Sequence, residues 1–362
     1  MWKVYMAIQL SKVVDMMDRQ SILNSIGIIT LTSTLLVSTS LQAKGEVNIY
    51  SARKESLIAP VLDSFSKEND VVVNLITGSA DAWLSRLRAE GNASPADIFI
   101  TVDAGRLHRA KAAGVLQPIQ SEVLDANIPS HLRDSDGYWF GLSQRARVIF
   151  YNPKKVSESE FSTYEDLATS KWKGRICVRS SANIYNQSLV ASMLEADGRE
   201  KTQAWIKGLV SNLARPPFGG DVDLLKAVAA GVCDVTLANT YYYGRLGQSN
   251  DADERKVYDS VKLFWPNQGE NERGAHVNVS GAGITASATN IENATLLIEF
   301  LTNHASQEWY AHVNNEYPVV KGVSAPEMLA PFGKFRADTI SLSKLGENNR
   351  EAVELMDISG WK

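Results

Sequence analysis

The sequence predicts an α/β protein of two lobes joined by extended crossings. Three observations carry this reading. Strand and helix patterns alternate from Val47 to Gly114, the alternation resumes after an extended stretch at Tyr138–Tyr151, and a Gly-rich segment at Ala275–Thr285 offers a return path. Such alternation builds mostly parallel sheets covered by helices, because a crossover between parallel strands must carry a helix. At 362 residues the chain has room for two domains.

Val47–Tyr50 and Val71–Leu75 are short apolar strands flanking the helical periodicity of Ser56–Asn69, a βαβ unit. Ser79–Glu90 is the next amphipathic helix, with Leu84 and Leu87 inward and Arg86, Arg88 and Glu90 outward. Ala96–Val102 reads as a buried strand, followed by a helix over Ala104–Ala113 that stops at Gly114. Tyr138–Tyr151 carries few turn signals and closes at Asn152–Pro153, so it runs as a connection into a second lobe. There the pattern gives a helix at Tyr164–Ala168, a strand at Ile176, helices at Gln187–Ala196, Lys201–Ser211 and Asp223–Ala230, and a strand at Val235. Ala275–Thr285 returns the chain to the first lobe, and two such crossings make a hinge. Helices at Ile291–Asn303 and Ser306–His312 follow, before Pro318 and Pro326 break the pattern ahead of the last helical segments. The expected lobes are 44–142 with about 272–320, and 143–271 with about 321–362.

The amino-terminal 43 residues read as a secretory leader: Ile22–Leu41 is apolar and Ser/Thr-rich and ends Ser-Leu-Gln-Ala43. A translation start at Met16 or Met17 would shorten the long preceding stretch. The alternative is a membrane anchor, which the serines, threonines and small-residue exit disfavour. The mature chain is thus expected to be a soluble exported protein. The net charge of −4 is spread without a basic block, so no nucleic-acid partner is expected. Cys177 and Cys233 lie in short β-branched runs; in an oxidising compartment they pair if those strands are neighbours, and otherwise remain buried thiols.

Enzyme signatures are missing from the sequence. It holds no Gly-x-Ser-x-Gly elbow, no phosphate-binding loop ending in Lys-Ser/Thr and no His-Glu-x-x-His helix, and its five histidines are scattered. A binding site is expected instead, at the carboxyl ends of strands between the lobes. Three loops lie there: Tyr50–Glu55, Arg179–Asn186 and Asn239–Tyr243. Backbone N–H groups near Ser181 lead into a helix and suit an anion, with a plain helix cap as the alternative. Arg53 is either a partner for that anion or a solvated surface charge. Tyr241, Tyr242 and Tyr243 are consecutive, and neither strand nor helix periodicity can turn three adjacent phenols into one core. Either they pack against three different neighbours, or some face a cleft as hard oxygen donors for a highly charged ion such as ferric iron.

Several segments together resemble the periplasmic ferric-iron-binding proteins of ABC importers. These are Tyr-Ser-Ala-Arg (50–53), Ser-Pro-Ala-Asp-Ile (94–98), Val-Asp-Ala-Gly-Arg-Leu (102–107), Arg-Ala-Arg-Val-Ile-Phe-Tyr (145–151), Ser-Ser-Ala-Asn-Ile-Tyr-Asn-Gln-Ser (180–188), Asn-Thr-Tyr-Tyr (239–242) and His-Val-Asn-Val-Ser-Gly-Ala-Gly (276–283). The resemblance implies a two-lobe periplasmic binding protein fold of the type II kind, acting as a monomer with an inner-membrane permease as partner and no catalysis. It implies Fe(III), free or chelated, held by Tyr185, Tyr241 and Tyr242 together with a synergistic anion such as carbonate, leaving Tyr243 as a neighbour. Many members read Ser-x-Arg-His-Tyr in the first loop, whereas this chain has Arg53-Lys54-Glu55. That departure removes the first-lobe tyrosine. Either Glu55 supplies a carboxylate, or three tyrosinates and a bidentate anion hold the iron, with Arg53, Asn239 and the backbone after Ser181 on the anion. The rival cargo is a small organic or anionic solute, a polyamine or phosphonate, stacked on the tyrosines.

Overall fold

The structure, a computed structural model, describes residues 45–362; the expected leader and its end at Ala43 lie outside them. Among the described residues no helix is long and apolar enough to cross a membrane. Strand β1 (Glu46–Ser51) is followed by α1 (Ala59–Asn69), which has Pro60 in its first turn, where the missing N–H costs nothing. β2 (Val72–Thr77) pairs parallel with β1, and α2 (Ala80–Glu90) starts at Ser79, whose hydroxyl accepts the Ala82 N–H. β3 (Ile98–Val102) lies parallel on the other side of β1, then α3 (Ala104–Ala112), β4 (Leu116–Gln117) and α4 (Glu122–Asn127) follow.

β5 (Phe140–Tyr151) carries the chain from one sheet into the next. Its residues 140–146 pair antiparallel with β9 (Val277–Thr285), whereas 147–151 pair antiparallel with β7 (Val235–Asn239). Between these lie β6 (Ile176–Cys177), α5 (Ile184–Asp197), α6 (Arg199–Ser211) and α7 (Asp221–Ala229). After β7 come α8 (Thr240–Gln248), α9 (Ala252–Ser260) and β8 (Lys262–Phe264). Beyond β9, α10 (Ile291–Leu301) and α11 (His304–Asn314) precede the short α12 (Ser343–Glu347) and α13 (Asn349–Ile358).

The strand order is β2-β1-β3-β9-β5-β7-β6. The pairs β1–β2, β1–β3 and β6–β7 are parallel, as βαβ connections require, and β5 and β9 enter antiparallel at the join. The two-lobe α/β expectation holds, with a mixed sheet where the crossing strands lie. Both crossing strands are buried along almost their whole length, and Ala146, Val148, Ile149 and Val277 turn apolar faces into the cores. Residues at or just past the carboxyl ends of β1, β3 and β7 reach this junction: Arg53 bonds Ser143, Asp103 approaches Arg145 and Asn239 bonds Arg147. Cys177 and Cys233 form a disulfide with Cα atoms 5.8 Å apart, tying the end of β6 to the entry of β7.

Three local expectations change. Helix α5 begins at Ile184 rather than Gln187, because the Asn183 side chain accepts the Tyr185 N–H and caps the helix earlier. The segment after β7 is not a loop: Thr240–Gln248 is helical despite Gly244 and Gly247, whose weak propensity hid it from the sequence. The expected helix at Tyr164–Ala168 is one 3-10 turn over Glu165–Ala168.

Candidate metal centre

Tyr185 lies in the first turn of α5 and Tyr241 and Tyr242 in the first turn of α8, both helices following strands of the second sheet. The Tyr241 hydroxyl donates to the Tyr185 hydroxyl at 3.2 Å. The Tyr241 and Tyr242 rings lie 4.2 Å apart, tilted by 34°. Residues two apart on a helix stand about 200° from one another, so Tyr243 points away from Tyr241. Tyr243 is fully buried, and its hydroxyl donates to the carbonyls of Tyr258 and Val261, 2.8 Å each. Tyr243 is therefore a core residue.

Burial pushes the Tyr241 phenol well above its ordinary range, with Tyr185, Tyr242 and Asp221 adding to it. Burial likewise pushes Tyr242 up to about 12, chiefly with the Tyr185 phenol nearby. Phenols crowded in this way hold their protons until a cation of high charge replaces them. Among the described residues no group of three or more His, Cys, Asp or Glu side chains converges, so phenol oxygens are the hard donors gathered here.

Two arginines of β5, Arg145 and Arg147, share one strand face and back the tyrosines. The Arg147 guanidinium donates to the Asn186 side chain at 2.7 Å and to the Asn239 side chain at 3.3 Å, bracing the starts of both tyrosine helices. Asp221 accepts from Arg147 at 3.0 Å, from Arg179 at 3.0 Å and from the Asn239 N–H at 2.7 Å. Arg145 and Arg179 lie 5.5 and 5.8 Å from the centre of the Tyr185 ring, so two cations face one phenol. A small cavity beside Tyr185 is lined by Arg145, Arg147, Asn239, His276 and Asn278. Sequence reasoning missed Asp221, Arg147 and Arg179. The spacing of Arg145 and Arg147 within an otherwise apolar strand was the available signal.

Arg53 reaches the same region from β1 but is committed to a partner. Its guanidinium lies 2.7 Å from Glu316 and 3.3 Å from the Ser143 hydroxyl, with both charged side chains 4% exposed. Burial opposes the Arg53 charge, but Glu316, Tyr310 and Tyr241 outweigh it and raise its pKa. Arg53 thus lies over the Tyr310 ring, 5.5 Å from its centre, with a carboxylate already at its side. Asn239 is buried and its side-chain amide nitrogen has no partner among the described residues. Glu55 is exposed in a 3-10 turn over Glu55–Leu57, and no side-chain hydrogen bond or ion pair joins it to the tyrosines. The Ser181 N–H donates to the Lys362 carbonyl, the Ala182 N–H to the Ser180 hydroxyl and the Asn183 N–H to the Ser180 carbonyl. The backbone N–H groups of Ser181, Ala182 and Asn183 thus each have a partner within the chain.

Residues 93–334 match the family model of bacterial extracellular solute-binding proteins. The chain is 50% identical over 317 residues to iron uptake protein A1 of Synechocystis, spanning 88% of each. It is 30% identical over 336 residues to an Fe(3+)-binding periplasmic protein of Serratia marcescens, covering 91% of this chain and 96% of the relative. A Trichodesmium protein solved in complex with iron and citrate ligands superposes with a TM-score of 0.86 at 50% identity, covering 88% of this chain and 100% of that one.

Proposed function

Because the chain belongs to the bacterial extracellular solute-binding proteins, among the periplasmic ferric-iron-binding members that serve ABC importers, we propose that it captures Fe(III) through Tyr185, Tyr241 and Tyr242. The observation that carries this reading is the approach of the Tyr185 and Tyr241 hydroxyls to 3.2 Å, with Tyr242 beside them. Fe(III) is the cargo here and not a resident cofactor. Three phenolates balance its charge, and the remaining coordination positions go to an anion such as carbonate or to the carboxylates of an arriving ferric chelate. Asn239 is the donor available to such an anion, and Arg53 acts on it in concert with Glu316. Glu55 would have to swing inward from its exposed turn to serve as a ligand. The captured ion passes to an inner-membrane permease. We divide the protein into 44–142 with about 272–320 and 143–271 with about 321–362, so that all three tyrosines sit on the second lobe. The protein binds and does not turn over its cargo.

A phenolate bound to ferric iron absorbs visible light, so loading the protein with ferric citrate yields a coloured complex with one iron per chain by metal analysis. Tyr241→Phe and Tyr242→Phe bleach or shift the band, whereas a stacking site for an organic solute would tolerate both. A colourless protein after loading, with no iron retained through desalting, rejects the proposal.

A further inference from the structure

Asp103 sits where β3 hands over to α3, fully buried, with φ of 84°. A residue with a side chain seldom occupies the left-handed region, and where one does, the surrounding contacts must hold it there. Those contacts reach four elements. One carboxylate oxygen accepts the Gly105 N–H at 2.9 Å and the Ser188 hydroxyl at 2.7 Å. The other accepts from the Asn278 side chain at 2.9 Å and lies 3.5 Å from the Arg145 guanidinium. Asn278 in turn accepts the Ala104 N–H at 2.8 Å, closing a ring between β9 and the start of α3.

Ser188 stands three residues beyond Tyr185 on α5, so the two share one helix face. Asn278 and Arg145 are register partners on the crossing strands, and Arg145 faces the Tyr185 ring. A Cβ added to Gly105 would stand 3.1 Å from the Asp103 carboxylate and 3.6 Å from the Ser188 hydroxyl, so the helix start is shaped to let these groups meet.

We infer that Asp103 is a positioning residue for cargo capture: a carboxylate latch on the first sheet that fastens the tyrosine-bearing helix α5 when the sheets close. Opening breaks the hydrogen bond to Ser188, while those to Gly105 and Asn278 stay with the first sheet and the crossing strand. The latch touches no ligand oxygen. Its work is to slow the separation that lets iron leave. The inference rests on the iron-capture reading only for its kinetic readout.

The test is Ser188→Ala in the full chain, with Asp103→Asn as a second variant. Iron release is timed by loss of the visible band to an excess of a strong chelator. Both variants keep the wild-type band maximum and lose iron roughly tenfold faster, a change of about 1.4 kcal/mol, which suits a hydrogen bond to a charged group. Release within twofold of wild type, or a shifted band showing that Ser188 acts on the ligand itself, overturns the latch. A metal-free arm uses nitroxide pairs at the exposed positions Glu68 and Asp253. Ser188→Ala broadens the inter-label distance distribution, and identical distributions overturn the latch whether or not the protein binds iron. A wild type that never colours rejects the capture reading alone.

Discussion

Lowering the pH should weaken iron capture with a steep and countable slope. In water a phenol gives up its proton near pH 10, and burial holds Tyr241 well above that and Tyr242 at about 12. Burial therefore keeps the Tyr241 and Tyr242 phenols protonated below about pH 8 in the metal-free site, and each phenol that binds iron as phenolate releases one proton. With three phenols engaged, the logarithm of the binding constant rises by about three units per pH unit. From pH 7 to pH 6 the affinity falls about 1000-fold, or about 4 kcal/mol. Titration of an anion such as carbonate adds to the slope and does not reduce it. The assay is competition against a chelator of known ferric affinity between pH 5.5 and 7.5, corrected for the chelator's own protons. Tyr185→Phe lowers the slope by about one unit while leaving the ring between Arg145 and Arg179. A wild-type slope of one or less would refute the three-phenolate site, and an unchanged slope in Tyr185→Phe would remove Tyr185 from it.

Two further predictions concern what holds the site. Glu316→Gln leaves Arg53 as a buried, uncompensated charge, which costs about 3–5 kcal/mol; for a protein of this size, losing roughly 0.7 kcal/mol per degree near its midpoint, calorimetry should read a fall of about 4–7 °C. Burial works against the Glu316 charge but Arg53 and Arg145 hold its pKa below the ordinary range, so its contribution is full above the unfolded pKa and is lost as the pH falls, and the gap between wild type and variant narrows in acid. Replacing Cys177 and Cys233 by Ser opens a loop of 56 residues, worth about 4 kcal/mol in the chain-entropy model, and lowers the midpoint by about 6 °C without changing the colour of the iron complex.

Much of the fold was legible because its local and global signals agree. Ser79 before Ala80–Glu90 and the apolar run Ile98–Val102 give the same answer by propensity, by capping and by burial. The tyrosine triplet was legible as an anomaly, since no periodicity absorbs it, and the structure divides it: Tyr241 and Tyr242 lie side by side near Tyr185, whereas Tyr243 enters the core. What the sequence concealed were partnerships between distant residues. Glu316 meets Arg53 across 263 positions and Asp221 meets Arg147 across 74, and neither carboxylate stands in a local pattern that marks it as buried. The placement of Tyr241 on a helix was hidden for another reason. A nine-residue helix with two glycines and three aromatics has little intrinsic preference, and packing against its neighbours decides it.

The strand β5 runs unbroken through both sheets, hydrogen-bonded to β9 across the join. A two-stranded ribbon resists sliding, because every ladder bond would have to break at once, but it twists readily. Motion of one half of the molecule against the other is thereby reduced to torsion about a single axis. The half that bears the three phenols therefore meets the other half along the same arc at every closure, so the closed geometry is reproduced and need not be searched for again.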